Sequence, residues 1–376
     1  MDYTLIATCA FGIESILSKE LKNLGYEDLA VENGKVEFRG DEMDIAIANI
    51  HLRTAERVLI KLAEFKATTF EELFQGTKAI EFGDIIPISG KMHVVGKSVR
   101  STLHSVPDCQ SIVKKAVVES MKRKYDRDQF AETGPVYKIE IGLLKDMATI
   151  TLDTSGVGLH RRGYRENSGV APLKETLAAA LVLIAGYDGS RPLVDPFCGS
   201  GTILIEAAMI AKNIPPNMDR SFVCETWTGF PKEVFEQVRE GAKNQIKRGK
   251  LNIKGFDNDT YVLSTARMNA KKAGVFESIY FIHEDVMNLK YEEEKVMVIT
   301  NPPYGERLGE AEEIKRLIGK MGRDKAEHKD FDMYIISAME GFENAFGKKS
   351  DKNRKLYNGR ILTYFYQYFA EKKKEG

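Results

Sequence analysis

Cysteine is scarce in this chain: Cys9, Cys109, Cys198 and Cys224 stand far apart and form no Cys-x-x-Cys pair. That spacing suggests neither a disulfide framework nor a zinc site, and no metal is expected. Net charge is missing too, with 55 Lys and Arg set against 55 Asp and Glu. No global field therefore draws the molecule to a polyanion or a bilayer, and any such affinity must be local. Long apolar runs are absent. The longest uncharged stretch, Thr176 to Tyr187, falls well short of the ~20 residues a bilayer requires, so a membrane-spanning protein is not expected. Asp2 stands where a basic leader would begin and Glu14 interrupts the first apolar segment; no secretory signal is read, and a cytoplasmic location is expected. What remains is globular composition: 376 residues, 43% hydrophobic and 29% charged, enough for about two or three domains with a sizeable core.

The first 150 or so residues and the rest read differently. Tyr3 to Cys9 is an apolar strand, followed by Ile16, Leu17, Leu21 and Leu24 at helical spacing and a stop at Gly25. Asn33-Gly34 signals a hairpin, and a helix around Met43 to Arg57 leads into a strand near Arg57 to Glu64. A helix near Phe70 to Ala79, a strand near Met92 to Gly96 and a helix from about Asp108 to Tyr125 follow. Lys145-Asp146 then separates two segments that read as an antiparallel pair. Gly, Ser and Arg crowd residues 153 to 166, where the domain boundary is expected. Beyond it strands and helices alternate, from Pro192–Phe197 to Met333–Ser337, and Asn358-Gly359 implies a closing hairpin. This predicts an α/β fold with a doubly wound, Rossmann-like parallel sheet that ends antiparallel, as class I methyltransferases do. Residues 213 to 250 form a long insertion with no evident purpose.

The chemistry gathers at strand ends. Asp195-Pro196-Phe197-Cys198-Gly199-Ser200-Gly201-Thr202 is a glycine loop where open α/β sheets bind ligands. A dinucleotide fingerprint would continue with a small residue at 204, but Leu204 stands there, so the loop suits a nucleoside without a pyrophosphate. Asp257 ends the next strand, where a carboxylate can accept two ribose hydroxyls, and Glu284-Asp285 ends the third, suited to adenine. Each has a plainer alternative: Asp195 as a helix cap, Asp257 as a turn residue, Phe197 as core, Cys198 as small apolar filler. The fourth strand ends in Asn301-Pro302-Pro303-Tyr304. The Asn301 amide oxygen and the Pro302 carbonyl can accept both N–H bonds of an exocyclic base amine, the prolines stiffen the turn, and Tyr304 offers a stacking face. Adenine N6, cytosine N4 and guanine N2 all suit such a loop.

These two segments, with Ala7-Thr8 to Leu24-Gly25 and the junction Leu152-Asp153-Thr154-Ser155-Gly156 to His160-Arg161-Arg162-Gly163-Tyr164-Arg165, resemble the THUMP-domain RNA guanine-N2 methyltransferases over nearly the whole chain. The resemblance implies a ferredoxin-like α+β region at 1–64, an RNA-gripping THUMP domain at 65–155, a linker at 156–166 and a Rossmann-fold methyltransferase domain at 167–376. It implies S-adenosylmethionine as cofactor, with Asp195, Gly199 and Gly201 on the methionine side, Asp257 at the ribose and Asp285 at the adenine, and with Phe197 and Thr202 also among the cofactor-binding residues. Asn301, Pro302, Pro303 and Tyr304 would hold the base, and the partner would be ribosomal RNA or, in relatives, transfer RNA.

Residues 89 to 128 carry nine cations and four acids. Such a run is usually a solvated helix face, but with the resemblance Lys114, Lys115, Lys122, Arg123 and Lys124 become candidate RNA contacts. Arg161, Arg162 and Arg165 would line the path from that grip to the active site, or merely brace the junction. Rival readings are a DNA adenine methyltransferase, an inactive RNA-binding factor and, most distantly, a dehydrogenase.

Overall fold

The computed structural model describes residues 2–165, 173–303 and 310–371. The N-terminal part begins with β1 (Tyr3–Thr8), α1 (Glu14–Asn23), β2 (Ala30–Glu32), β3 (Lys35–Gly40), α2 (Glu42–His51) and β4 (Arg57–Lys66). It continues with α3 (Phe70–Lys78), α4 (Phe82–Ile85), β5 (Lys91–Val99), α5 (Val106–Tyr125), β6 (Val136–Leu144) and β7 (Met147–Asp153). Local chemistry sets the boundaries. Asp41 caps α2 by accepting from the amides of Met43 and Asp44, and Thr69 with Glu72 closes a reciprocal capping box on α3. Lys145 and Asp146 both take positive φ between β6 and β7, the geometry a two-residue hairpin turn requires.

All seven strands form one sheet in the order β2-β3-β1-β4-β7-β6-β5. The expected break at 64/65 thus falls inside β4, which pairs with β1 on one side and β7 on the other. Two sequence modules share one continuous sheet and one core.

The second part contains α6 (Glu175–Ala185), β8 (Leu193–Asp195), α7 (Thr202–Ala211), α8 (Glu233–Asn244), β9 (Ile253–Asp257), α9 (Thr260–Lys272), β10 (Tyr280–His283) and β11 (Met297–Thr300). It closes with α10 (Glu310–Glu327), β12 (Asp332–Ser337), α11 (Phe342–Phe346), β13 (Lys352–Asn358) and β14 (Ile361–Tyr368). The sheet order is β10-β9-β8-β11-β12-β14-β13. Strands β8 to β12 are parallel, and β14 slips antiparallel between β12 and β13, giving the expected hairpin ending. Apolar residues of α6, α7 and α9 cover one face and those of α10 and α11 the other. Strand order reverses between β8 and β11, so the ligand crevice belongs at their carboxyl ends. Among the described residues no helix is long and apolar enough to cross a membrane.

The insertion has a structural purpose. Trp227 stacks on Tyr137 of β6 at 5.1 Å, its indole N–H donates to the Val136 carbonyl, and Phe222 and Phe235 join the core of the N-terminal sheet. Residues 213–250 therefore reach out of the second domain and clasp the first.

Candidate active site

Strand β8 runs into a loop whose shape is fixed from below. The buried Asp195 carboxylate accepts the Thr300 hydroxyl at 2.6 Å and the Phe197 amide at 3.0 Å, tying the end of β8 to the end of β11. Burial, aided by the nearby Asp257 charge, outweighs these hydrogen bonds and pushes the carboxyl up to about 7. Gly199 and Gly201 take positive φ, +52° and +81°. A Cβ on Gly201 would sit 3.1 Å from the Phe281 ring, whereas one on Gly199 would meet nothing within 4 Å. Gly201 is thus needed for packing as well as for the turn. Asp257, at the end of β9, accepts the amides of Gly199 and Asp259, both at 3.0 Å, and so joins the second strand to the loop of the first.

Above these strand ends lies a cleft of about 660 Å³. Phe197, Asp257, Asp285, Asn301 and Pro303 all line it. Side chains that sequence separates by about a hundred positions therefore open onto one space. Pro302 is buried beneath the turn. Asp285 is exposed and uses one oxygen on the Met287 amide, 2.8 Å away. Tyr304 lies outside the described residues. Phe197 lines the cleft and also packs against the core on the α10 side. Cys198 is buried, and burial drives its thiol well above the ordinary value, as befits a filler.

Other expectations need correcting. Asp195, Gly201 and Thr202 are buried, and neither they nor Gly199 are among the residues that line the cleft. The buried Thr202 hydroxyl accepts Arg165 at 3.3 Å, so it braces the loop. Arg162 and Arg165 do not line an RNA path. Arg162 is buried, donating to the carbonyls of Leu159 and Arg53 and pairing with Glu206 at 3.4 Å; Arg165 pairs with Glu175 at 3.0 Å. Both are junction struts, and only Arg161 is exposed. The basic face of α5 is also largely neutralised. Lys114 pairs with Glu132, Lys122 with Glu119 and Asp128, Arg123 with Glu81 and Lys124 with Asp84, while Lys115 sits over the Phe74 ring. Glu81, Asp84 and Glu132 fall outside the 89–128 window, and the fold brings them in.

Part of the lining escaped sequence reasoning. Glu313, Arg316 and Leu317 of α10 form one wall and Val286 and Met287 another. Ile314, Ile318 and Met321, buried at i, i+4 and i+7, are the signal that would have found α10.

The comparisons agree with this geometry. Residues 162–366 match the family model described as RMKL-like, methyltransferase domain; residues 4–59 match the RlmL ferredoxin-like domain and 67–153 the THUMP domain. YpsC of Bacillus subtilis (strain 168), provisionally named an RNA methyltransferase, is 48% identical over 98% of this chain and 96% of its own length. A Listeria monocytogenes structure described as a predicted N6-adenine-specific DNA methylase is 47% identical and superposes with a TM-score of 0.94, covering 99% of this chain and 97% of that one. SMU.472, solved as a complex with SAH, is 41% identical with a TM-score of 0.93 and 99% coverage of both chains. With a ferredoxin-like and a THUMP region in front and the strand-end cleft behind, the chain belongs to the RMKL-like methyltransferase family.

Proposed function

We propose that this protein methylates the exocyclic N2 amine of a guanine in ribosomal RNA, with transfer RNA as the second candidate polymer. S-adenosylmethionine is the methyl donor, as the SAH complex of a 41% identical relative supports. The residues fit it: two carboxylates, Asp257 and Asp285, border a cleft with apolar walls from Phe197, Val286 and Ile314. When bound, the cofactor supplies an electrophilic methyl group. The protein's task is to hold the nucleophile. The lone pair of a base amine is delocalised into the ring, so the Asn301 side-chain oxygen and the Pro302 carbonyl accept its N–H bonds and orient it, and proximity supplies most of the acceleration. The observation that carries this reading is that Asn301 and Pro303 open onto the same cleft as Asp257 and Asp285. The name of the Bacillus relative and the THUMP match favour RNA as the polymer. The RlmL-like first domain favours ribosomal RNA, and a cytoplasmic location is part of the same proposal.

The test is to incubate the purified protein and S-adenosylmethionine with ribosomal RNA, transfer RNA and duplex DNA, then digest each and identify modified nucleosides by mass spectrometry. N2-methylguanosine in ribosomal RNA is expected. N6-methyladenine in the DNA alone would replace this reading with the one that the Listeria description suggests.

A further inference from the structure

Phe11 is 57% exposed, yet the loop that carries it is firmly built. The Glu14 carboxylate accepts the amides of Gly12 at 2.9 Å and Gly34 at 3.0 Å. Gly12 has φ +93°, and a Cβ there would lie 2.4 Å from the Lys355 carbonyl, so the loop is wedged against β13 of the methyltransferase domain. The next residue, Ile13, is fully buried in that domain's core. The residues on its C-terminal side are anchored while its ring stays more than half exposed. One exposed apolar side chain is ordinary on a protein surface, and what marks this one is its neighbours.

The ring has company. Tyr357 meets it edge to face with centroids 6.3 Å apart, and β13–β14 register places Tyr357 opposite Leu362 and Lys355 opposite Tyr364 on the same hairpin face. Leu362 and Tyr364 are 39% and 37% exposed. The Lys355 ammonium lies 5.8 Å from the Tyr357 ring and Arg360 is exposed at the hairpin tip; neither has an acidic partner among the described residues. This contrasts with α5, whose cations are largely matched by acids. From 348 to 360 the chain carries six cations and one acid, Asp351, whose carboxylate is bound to the Phe369 amide.

Position completes the argument. Thr300 is level with Ile335, which is level with Tyr366, so Asn301 leaves β11 one residue below the height of Tyr364, and Leu362 and Tyr357 stand further out on the same side. At ~3.3 Å per residue and ~4.8 Å between strands, Tyr357 is on the order of 15 to 20 Å from Asn301. Tyr357 stands on the edge strand of the sheet whose strand ends carry the cleft, where Phe11 of the N-terminal part meets it.

We propose that Phe11 and Tyr357, flanked by Lys355 and Arg360, form a stacking platform for unpaired nucleobases of the RNA strand beside the target nucleotide. Aromatic faces take any base, and the cations take the adjoining phosphates. This rests on the RNA methyltransferase reading above.

The test uses the full-length protein, a short fluorescein-labelled single-stranded RNA read by anisotropy, and ribosomal RNA as the methylation substrate. The double variant Phe11→Ala/Tyr357→Ala is expected to weaken RNA binding by about tenfold or more and to raise the KM for RNA, while S-adenosylmethionine affinity by calorimetry stays at the wild-type value. Phe11→Trp on the wild-type background should bind RNA at least as well as wild type. Lys355→Ala/Arg360→Ala should reduce the log-log salt slope by roughly 0.7 for each phosphate that is no longer engaged. Unchanged RNA affinity in the double aromatic variant, with methylation intact, overturns the platform alone. A wild type that neither binds nor methylates RNA sinks the functional reading and the platform with it.

Discussion

Asn301 and Asp257 share a cleft but act on different partners, so their truncations should separate. Asn301→Ala is expected to cut turnover by about a hundredfold or more with cofactor affinity nearly unchanged, because only positioning of the amine is lost; single-turnover kinetics beside calorimetry checks both halves. Asp257→Ala should weaken S-adenosylmethionine binding by roughly 1.5 to 3 kcal/mol, the worth of hydrogen bonds to a charged group, and titration calorimetry measures it. Asp195 differs in kind, since it is buried below the loop with a carboxyl near 7 instead of the ordinary 3.8. Between those values the folded chain keeps a proton that the unfolded chain releases, so this residue lowers stability as pH rises from about 4 to 7 and adds no further slope above. Urea midpoints across that range should fall less steeply for Asp195→Asn than for wild type. Single residues of this site were legible because strand-end carboxylates and a proline-stiffened asparagine are rare combinations. What the sequence hid was depth, the fact that Asp195 and Thr202 sit under the loop while Asp257 faces the cleft.

At the level of elements, Leu204 is the informative exception. It occupies the helix position that dinucleotide folds keep small, and the needed space is supplied from the other side: a Cβ on Gly255 of β9 would lie 2.5 Å from Leu204 Cδ1 and 3.0 Å from Cys198 Cβ. Helix and strand have exchanged the small residue. Gly255→Ala should therefore cost roughly 1 to 3 kcal/mol by overpacking, and Leu204→Ala added to it should recover part of the loss; thermal melts of both variants decide this. Elements with one buried face were readable, as with α1, whose buried Leu17 and Leu21 stand four apart, and the hairpins with Asn-Gly turns. Helix α6 was not. Every residue from Glu175 to Val182 is buried, so no polar face marks its period. Helix α8 was readable in principle through Phe235, Val238 and Ala242, yet its destination in another domain's core lies beyond local pattern.

Across the whole molecule, the two halves are joined by more than a linker. Arg162 binds the Arg53 carbonyl and Glu206, and the Asn217 side chain donates to the Asn49 carbonyl across the junction. Buried polar groups of this kind are costly to leave unpaired, so separation of the halves is resisted electrostatically as well as by packing. Trp227→Ala removes a large buried ring that packs on Tyr137 and should destabilise the protein by about 3 to 5 kcal/mol. Faster limited proteolysis between residues 213 and 250 would register the loosened clasp. The clasp also bears on how this architecture can be partitioned. Trp227, Phe222 and Phe235 pack in part on one another and on Phe230, and the cluster they form is buried in the core of the other half. A catalytic portion expressed by itself would display them as a sticky, ownerless arm, so the two halves form an indivisible calliper whose jaw spacing is set when the chain folds.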